Sequence, residues 1–450
     1  MPSLVQSLAW GFAPTWLMDR CARTLGDAFT LTFWPSGLRF AMFSDPEAVK
    51  TVFTAPPEVA PSGAAMSPIA AVLGASSVLI LTGPEHMRQR KLLLPPFHGE
   101  RMREYEDVME QATRRDMAGW ELGRPMSLQH HTRSITLEVI LRAVFGVEGE
   151  RTGPLRAAIT DMFEPSLVPM VLRALTGRRT AARPTGAIGR ALDRLDALIY
   201  QEITHRRAQG DVAERADILS LLLGARDEDG EAMTDTELRD ELVTLLLAGH
   251  ETTSTSVAWA VERLVRHPQQ LSRLLAEIDA GEADEYLTAV VHETLRVRPV
   301  VPIVVRVLER ELEVDGYRLP VGTRVAPSIY LTNRNPRVYD SPREFRPERF
   351  LGERGGRDIN SFSWIPFGGG IRRCIGASFA LLEMKVLLRT MLAELEPHAV
   401  AGGGWRERLL HGGRGGGEAD ERVHRRAVTL VPSRGAQVMW RRRSPGRTTG

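Results

Sequence analysis

The amino-acid sequence predicts a mainly α-helical protein with a smaller β-rich part. Apolar residues recur at helical spacing from Glu85 onward. A clear example is the segment that carries Ile188, Leu192, Leu195 and Ile199. Strand-like patterns occur in residues 28–43 and again after Pro299. Because no internal repeat and no clear linker interrupts these patterns, we expect a single domain over residues 1–450.

The β-rich parts lie towards the two ends of the chain. Two β-rich runs flank Pro35-Ser36-Gly37 and predict a hairpin, and the segment ELEVDGYRLPVGTRVAP, with a turn at Asp315-Gly316, predicts a second small sheet. Near the C-terminus, RRAVTLVPS predicts a closing strand. The expected division is a β-rich N-terminal lobe at about 25–80, a helical core at about 85–400, closing strands at about 422–440 and a basic flexible tail at 441–450.

Composition and charge are those of an ordinary soluble protein. The hydrophobic share is 43% and the charged share 25%, and the formal net charge of +2 gives no general attraction to nucleic acid or anionic membrane. Two cysteines, Cys21 and Cys374, provide no disulfide framework, which favours a reducing compartment. The N-terminal stretch is broken by Pro14 and lacks the basic region of a signal peptide. We expect a cytoplasmic protein with no membrane span.

A long helix is predicted between Thr234 and Pro268. Thr234 and Glu237 form a capping-box signature, and about 33 residues without proline would span about 50 Å. The apolar stripe of this helix turns small and polar in the stretch AGHETTSTS. One explanation is that the Ser and Thr hydroxyls bond back to carbonyls four residues earlier. The pattern favours another, a local distortion with a groove, lined by Glu251 and Thr252, that admits a small ligand and water.

Two charge motifs follow the long helix. Glu293 and Arg296 are three residues apart and therefore share one helix face. Arg349, in the stretch FRPERF, is a candidate second partner for the same carboxylate. Either pair alone is a weak signal, because most such pairs lie at the surface and contribute little.

Cys374 stands in the stretch FGGGIRRCIG, just before a strong helix pattern. The glycines from Gly368 to Gly370 allow a backbone to approach a flat object closely, and Arg372 can neutralise an acid on that object. A thiolate at this position is stabilised by the helix dipole and by free backbone N–H groups. A zinc site would need further ligands, and a nucleophilic cysteine would need a histidine partner. The sequence offers no marked candidate for either. A planar, anionic, iron-bearing cofactor held by one thiolate, a haem, fits best.

Four motifs, taken together and in this order, resemble those of the cytochrome P-450 family. The haem-binding loop F-x-x-G-x-R-x-C-x-G is matched by Phe367, Gly370, Arg372, Cys374 and Gly376. The oxygen-activating A-G-x-[DE]-T-[ST] is matched by Ala248, Gly249, Glu251, Thr252 and Thr253. The E-x-x-R and P-E-R-F motifs are matched by Glu293 with Arg296 and by Pro347 to Phe350. The resemblance covers nearly the whole chain and implies the cytochrome P-450 fold of a bacterial-type soluble haem-thiolate monooxygenase.

The resemblance implies haem b as the cofactor, with Cys374 as the axial ligand of its iron. Phe367 would pack beside the haem on the thiolate side, with a simple core phenylalanine as the alternative, and Gly370 and Gly376 complete the loop. The residues implied to contact the haem propionates are Arg372, Arg306, His86 and Arg90. For His86 and Arg90, which are four residues apart in GPEHMRQRK, the alternative is a solvated basic helix.

The resemblance also implies roles around the substrate. Glu251 and Thr252 resemble the acid–alcohol pair that delivers protons during the activation of O₂. Glu293, Arg296 and Arg349 would form a structural triad that serves folding. The implied substrate pocket is formed by Ala248, Gly249, Val301, Val304 and Val428, with the loop from Ser67 to Leu73 and a lid near Met162 and Phe163. These residues are mostly apolar, so we expect a small apolar or amphipathic organic substrate.

Electrons are expected from a separate partner. The resemblance implies a ferredoxin or flavodoxin with its reductase, supplied ultimately by NAD(P)H. Such a partner would dock on the thiolate face, near the basic residues Arg88, Arg90, Lys91, Arg101 and Arg103. The alternative for these residues is a solvated basic stretch without a partner.

The predicted function is insertion of one oxygen atom from O₂, as a hydroxylation or an epoxidation. One alternative is an oxidative coupling or cyclisation enzyme of secondary metabolism. An alternative of another class is a non-catalytic haem protein, such as a gas sensor, which would have no use for Glu251 and Thr252. A nucleic-acid role through the basic tail is a poor third, and we expect no nucleic-acid partner.

Overall fold

The structure is a computed structural model that describes residues 1–63, 69–97, 99, 101–146, 152–163, 184–210, 212–281, 284–352, 359–400 and 421–443. The described residues are mainly helical with small sheets, so the predicted fold class is confirmed. The helices are α1 (Ser3–Phe12), α2 (Pro14–Leu25), α3 (Pro46–Thr54), α4 (Ala70–Leu73), α5 (Gly83–Leu93), α6 (Arg101–Met117), α7 (Leu128–Phe145), α8 (Thr152–Phe163), α9 (Gly186–Gln209), α10 (Ile218–Gly224), α11 (Asp235–Val265), α12 (Pro268–Ala280), α13 (Glu285–Val297), α14 (Ile329–Thr332) and α15 (Ala377–Glu394).

The strands form four small sheets. They are β1 (Ala28–Phe33), β2 (Leu38–Phe43), β3 (Pro125–Ser127), β4 (Arg306–Val307), β5 (Leu312–Val314), β6 (Tyr317–Leu319), β7 (Arg324–Pro327), β8 (Leu395–Ala399), β9 (Val423–Arg426), β10 (Thr429–Pro432) and β11 (Gln437–Arg442). The predicted hairpin is β1–β2, and β2 pairs in parallel with β7 to give the order β1-β2-β7-β4. The hairpin near the start of the chain is thereby joined to the second predicted sheet.

The C-terminal strands differ in detail from the expectation. The predicted closing strand is a hairpin of β9 and β10, and β11 pairs with β3 and β8 in a separate sheet. Strand β11 includes Arg441 and Arg442, which the sequence assigned to a flexible tail. Arg443 also forms an ion pair with Asp279, at 2.5 Å. The part of the predicted tail from residue 444 onward lies outside the described residues, as does the glycine-rich segment 401–420.

The long helix α11 organises the core. Its N-terminus carries the predicted capping box: the Glu237 N–H donates to the Thr234 hydroxyl at 3.2 Å, and the Thr234 N–H donates to the Glu237 carboxylate at 2.7 Å. The helix has 31 residues and therefore spans about 46 Å. Most of its side chains are buried, and α7 packs alongside it. None of the helices in the described parts of the chain is long and apolar enough to span a bilayer.

Candidate functional site

The loop before α15 presents Cys374. The Cys374 N–H donates to the Phe367 carbonyl at 3.0 Å, and the Arg373 N–H donates to the Gly370 carbonyl at 3.1 Å. These two bonds close the loop just before the first turn of α15. The backbone N–H of Gly376 bonds to the Cys374 sulfur and lowers the pKa of the thiol. The loop therefore fixes the sulfur at the start of a helix, as the sequence predicts.

The glycines of this loop are required for a reason that the sequence did not give. A Cβ atom built on Gly369 would lie 2.4 Å from the ring of Phe53 in α3, and one on Gly370 would lie 2.0 Å from the Phe53 carbonyl oxygen. Gly370 also has a φ of +64°, in the left-handed region that favours glycine. Both glycines thus permit a close approach of α3 to the loop. A Cβ on Gly376, in contrast, would meet no atom within 4 Å.

The Cys374 side chain combines an exposed surface with a desolvated thiol. Its surface is exposed, yet surrounding protein atoms desolvate the thiol and raise its pKa. Arg373 and Arg90 act in the opposite direction and favour the thiolate. The thiol is thus accessible and, at the same time, surrounded by protein atoms.

Four basic side chains converge beside this loop, and we call them the cation cluster: His86, Arg90, Arg306 and Arg372. His86 is 1% exposed, and its pKa is lowered to about 4 by burial first and then by the charges of the three arginines. Burial lowers the pKa of both Arg306 and Arg372 to about 10. His86 is thus not part of a solvated basic helix, which was the alternative.

The cation cluster lacks an internal counter-charge. No member of the cluster forms an ion pair with a carboxylate among the described residues, and Nδ1 of buried His86 has no hydrogen-bond partner there. Arg372 donates to the carbonyls of Val78, at 2.8 Å, and of Leu81. Buried cations are normally paired, because an isolated charge is costly to bury. The donor set therefore fits a ligand that carries carboxylates, as haem does.

Helix α11 contributes an opening on its own side. Ala248 is exposed and Thr252 is half-buried, although most of the helix is buried. The helix is assigned as α-helical without interruption from Asp235 to Val265, so the expected distortion is not observed. The alternative explanation holds instead: the hydroxyls of Thr252, Thr253 and Ser256 donate to carbonyls four residues earlier, at 2.8, 3.2 and 2.9 Å.

The acid of the acid–alcohol pair is held between two cations. Nε of Arg133 in α7 lies 2.9 Å from Oε2 of Glu251, and a guanidinium nitrogen of Arg426 in β9 lies 3.6 Å from Oε1. Glu251 is 6% exposed. Neither arginine was identified from the sequence, because positions 133 and 426 carry no spacing pattern that relates them to Glu251.

The predicted pocket residues divide into three groups. Val301 and Val304 are half-buried and pack against a small cluster that includes Phe53. Val428 is 59% exposed, in the turn between β9 and β10. A Cβ on Gly249 would meet the Ile140 side chain at 3.1 Å, so this glycine faces α7 and lets the two helices approach. The stretch 64–68, the Phe163 side chain and residues 164–183 lie outside what the structure describes.

A set of side chains at the start of α11, which we call the loop clasp, binds residues 72–78. This clasp was not predicted. Its contacts are Arg239 to the Leu73 carbonyl at 3.1 Å, Asp240 to the Ser76 N–H at 2.9 Å, Thr244 to the Ser77 hydroxyl at 2.7 Å and Glu241 to the Val78 N–H at 2.8 Å. The Val78 peptide therefore connects α11, through Glu241, with Arg372 of the cation cluster.

Two buried glutamates were also missed. Burial raises the pKa of Glu241 and of Glu383 to about 8, and each keeps one carboxylate oxygen without a partner among the described residues. Glu383 in α15 bonds to the Thr253 hydroxyl, next to the acid–alcohol pair. A signal existed for Glu383, because it is an acid within the apolar run LLEMKVLL.

The predicted triad comes together in the interior. The Glu293 carboxylate accepts from Arg296 at 2.6 and 2.8 Å, and Nε of Arg349 lies 3.1 Å from it. The side chains of Glu293 and Arg296 are 0% exposed. Arg296 donates further to the carbonyls of residues 333, 342 and 344. These contacts connect α13 with the segment that leads to the Cys374 loop.

Three features are those of a haem-thiolate protein: a cysteine fixed at a helix start, a cation cluster that no described carboxylate pairs with, and an acid–alcohol pair on the central helix. The comparison with protein families agrees: the model for cytochrome P-450 matches residues 7–404. This chain belongs to the cytochrome P-450 family, whose members are haem-thiolate monooxygenases.

Curated relatives support the same assignment. The chain is 40% identical over 431 residues to cytochrome P-450 137 of Mycobacterium tuberculosis, covering 94% of this chain and 85% of that protein. It is 35% identical over 447 residues to cytochrome P-450 138 of Mycobacterium bovis, covering 98% of this chain and 95% of that protein.

Two solved structures share the fold. The retinoic acid-bound cyanobacterial CYP120A1 superimposes with a TM-score of 0.81 at 22% identity, covering 97% of this chain and 96% of that one. The haem domain of cytochrome P-450DA gives 0.82 at 24% identity, covering 99% and 97%.

Proposed function

We propose that this member of the family binds haem b and inserts one oxygen atom of O₂ into an apolar or amphipathic organic substrate, by hydroxylation or epoxidation. One observation supports the proposal above all others. An exposed thiol, Cys374, stands beside the cation cluster, whose His86 and Arg306 are buried and which no described carboxylate neutralises. Together they provide an iron ligand and the counter-charges for a dicarboxylic cofactor.

The residues that would hold the haem are those of the loop and the cluster. Cys374 would ligate the iron, and Arg90, Arg306 and Arg372, with His86, would bind the propionates. When bound, a thiolate-ligated haem supplies the chemistry of O₂ activation, in which electron donation from sulfur favours O–O cleavage. The Gly376 N–H that bonds to the sulfur favours the thiolate form, and such bonds also tune the metal.

Proton delivery is assigned to Glu251 and Thr252. The Thr252 hydroxyl donates its own proton to the Ala248 carbonyl at 2.8 Å, which leaves its oxygen free to accept another hydrogen bond. Glu251 is held by Arg133 and Arg426. We propose that the carboxylate loosens one of these contacts when it takes up a proton from water, and that it then swings towards Thr252. The two arginines act as positioning residues in this scheme.

The substrate class rests on the character of the walls. Ala248, exposed in the middle of α11, and the half-buried Val301 and Val304 offer apolar surface. The loop clasp fastens the backbone of Val72 and Leu73, from the segment expected to border the substrate, to α11, and both side chains are buried. These residues favour an apolar body in the substrate and provide no charged group to recognise an ionic one.

The electron donor is proposed to be a ferredoxin or flavodoxin, with NAD(P)H as the ultimate source. The basic stretch expected to steer it is partly neutralised: Arg88 pairs with Asp227 and Glu237, and Lys91 pairs with Glu228. Arg90 belongs to the cation cluster, and the side chain of Arg101 lies outside the described residues. Arg103 and Arg373 remain exposed without a described ion pair, and we propose that they contact the acidic partner.

The test is the difference spectrum of the reduced, carbon monoxide-bound protein. We expect a strongly red-shifted Soret band in the wild type and in Cys21→Ser, whose cysteine is buried in α2. Cys374→Ser should lose this band. A band typical of histidine-ligated haem in the wild type, or no haem, would mean that Cys374 is not the ligand. Apolar compounds can then be screened by the shift in spin state that a bound substrate causes.

A further inference from the structure

The exposed apolar side chains of this protein are concentrated at one place. Of the fourteen large apolar side chains that are exposed among the described residues, eight lie within the first 34 positions. These eight are Met1, Leu4, Val5, Leu8, Phe12, Trp16, Leu25 and Trp34. Single exposed apolar residues are normal, whereas a concentrated set marks a surface that binds something.

Helix α1 supplies the centre of this surface. Leu4, Leu8 and Phe12 recur every four residues and point away from the protein, with Leu8 52% and Phe12 78% exposed. The opposite face is fixed: Trp10 is buried and packs on Phe33, with ring centroids 5.8 Å apart. The helix, SLVQSLAWGF, contains no charged residue. Its outer face is therefore an apolar ridge and not a groove.

Two tryptophans and two arginines border the ridge. The Trp34 N–H donates to the Ser7 hydroxyl at 2.8 Å, which places the β1–β2 turn beside α1, and Trp34 is 55% exposed. On α2, Trp16 is 47% exposed, and the Arg20 guanidinium lies 5.8 Å from the centroid of its ring. Arg23 is exposed one turn further on.

The charges at this border are unbalanced. Neither Arg20 nor Arg23 forms an ion pair with a carboxylate among the described residues. The acid between Trp16 and Arg20, Asp19, is already paired with Arg343 at 3.1 Å. The border is thus locally cationic, although the whole protein is close to neutral.

We propose that this N-terminal face, formed by Leu4, Leu8, Phe12, Trp16 and Trp34 with Arg20 and Arg23, binds peripherally to an anionic lipid surface. An apolar helix face with tryptophans at its edge and arginines beside it matches the boundary between acyl chains and anionic headgroups. A protruding ridge suits a fluid lipid surface, whereas a peptide partner would require a groove. The inference does not depend on the proposed reaction, because none of these residues belongs to the haem site.

The experiment measures binding of the purified, haem-loaded protein to lipid vesicles by flotation. Two vesicle compositions are compared, phosphatidylcholine alone and phosphatidylcholine with about 30% phosphatidylglycerol. The variants are the double change Leu8→Asp with Phe12→Asp, and the double change Arg20→Gln with Arg23→Gln. Val321→Asp is the matched control, because Val321 is 65% exposed at a turn far along the chain. The Soret spectrum checks that each variant keeps its haem.

We expect the wild type and Val321→Asp to float with the anionic vesicles, and to bind at least about tenfold less to the neutral ones. The Leu8/Phe12 variant should lose binding about tenfold or more, and the Arg20/Arg23 variant should lose the preference for anionic lipid. The proposal is overturned if the wild type stays unbound, or if the Leu8/Phe12 variant binds equally well. A further outcome is that the wild type does not bind vesicles but associates with itself, and that the double change Leu8→Asp with Phe12→Asp abolishes this self-association. That result would assign the face to a second copy of this chain.

Discussion

Replacing Glu241 by glutamine should remove part of the pH dependence of stability. Glu241 is fully buried in the loop clasp, and its native pKa of about 8 lies above the ordinary value of 4.5. Desolvation is the largest cause; the Val78 N–H opposes it, and the charges of Asp240 and Glu237 add to it. Between pH 4.5 and pH 8 the native state thus holds a proton that the unfolded state has lost. The free energy of unfolding therefore falls as pH rises through this window.

The size of the effect follows from the gap between the two pKa values. A gap of about 3.5 pKa units, at 1.36 kcal/mol for each unit, corresponds to about 5 kcal/mol of native-state stability. This contribution is fully present below pH 4.5 and is lost above pH 8. Glu241→Gln keeps an oxygen that can accept from the Val78 N–H but removes the titrating proton. The substitution can also change the free energy of unfolding by an amount that does not depend on pH. This amount cancels, because the two proteins are compared by how their free energies of unfolding change with pH.

The assay is urea unfolding followed by far-ultraviolet circular dichroism from pH 5 to pH 8.5. We expect the stability of Glu241→Gln relative to the wild type to rise by about 3–5 kcal/mol across this range. Glu313→Gln, a change at an exposed strand position, is the control and should follow the wild type. Parallel pH profiles for Glu241→Gln and the wild type would refute the reasoning, because they would mean that Glu241 does not hold a proton in the native state.

Three further predictions concern the site. Glu293→Ala leaves Arg296 and Arg349 buried without their carboxylate, so it should lower the free energy of unfolding by about 3–5 kcal/mol in the same urea assay. An unchanged unfolding midpoint would contradict the structural triad. Arg306→Gln removes one acid-free buried cation, so the ratio of Soret absorbance to absorbance at 280 nm after gel filtration should fall; wild-type haem retention would speak against a propionate contact. Thr252→Ala should send a larger share of the NAD(P)H electrons into hydrogen peroxide and lower product formation about tenfold or more, measured with any compound that shifts the spin state. An unchanged ratio of product to NAD(P)H consumed would exclude a role in proton delivery.

The sequence predicted most reliably what is encoded over short distances. The capping box at Thr234, the β1–β2 hairpin and the triad of Glu293, Arg296 and Arg349 depend on fixed spacings or on recognisable motifs, and the structure contains each of them. The long helix was predicted within two residues of its observed length. Helices α1 and α2 were missed, because proline and small residues interrupt their apolar pattern.

Contacts between distant residues could not be predicted in this way. Arg133 and Arg426 meet Glu251 across 118 and 175 positions, and the loop clasp joins residues more than 160 positions apart. Such pairs depend on how α7, α11 and β9 pack, which no local pattern specifies. The glycines before Cys374 illustrate the same limit, since the approach of Phe53 that requires them comes from α3.

The loop clasp affects how substrate and product can enter and leave the pocket. Residues 72 and 73 end the loop that was expected to border the substrate, and four contacts to residues 73–78 fasten this end of the loop to α11. At about 1 kcal/mol for each contact, releasing all four would cost about 4 kcal/mol, so this wall would stand open roughly one time in a thousand. Such an opening would also pull on Val78, which Arg372 holds from the other side. If Arg372 binds a haem propionate, as proposed, a substrate that enters past this wall would also disturb that contact. A route on another side of the pocket would then exchange substrate and product faster.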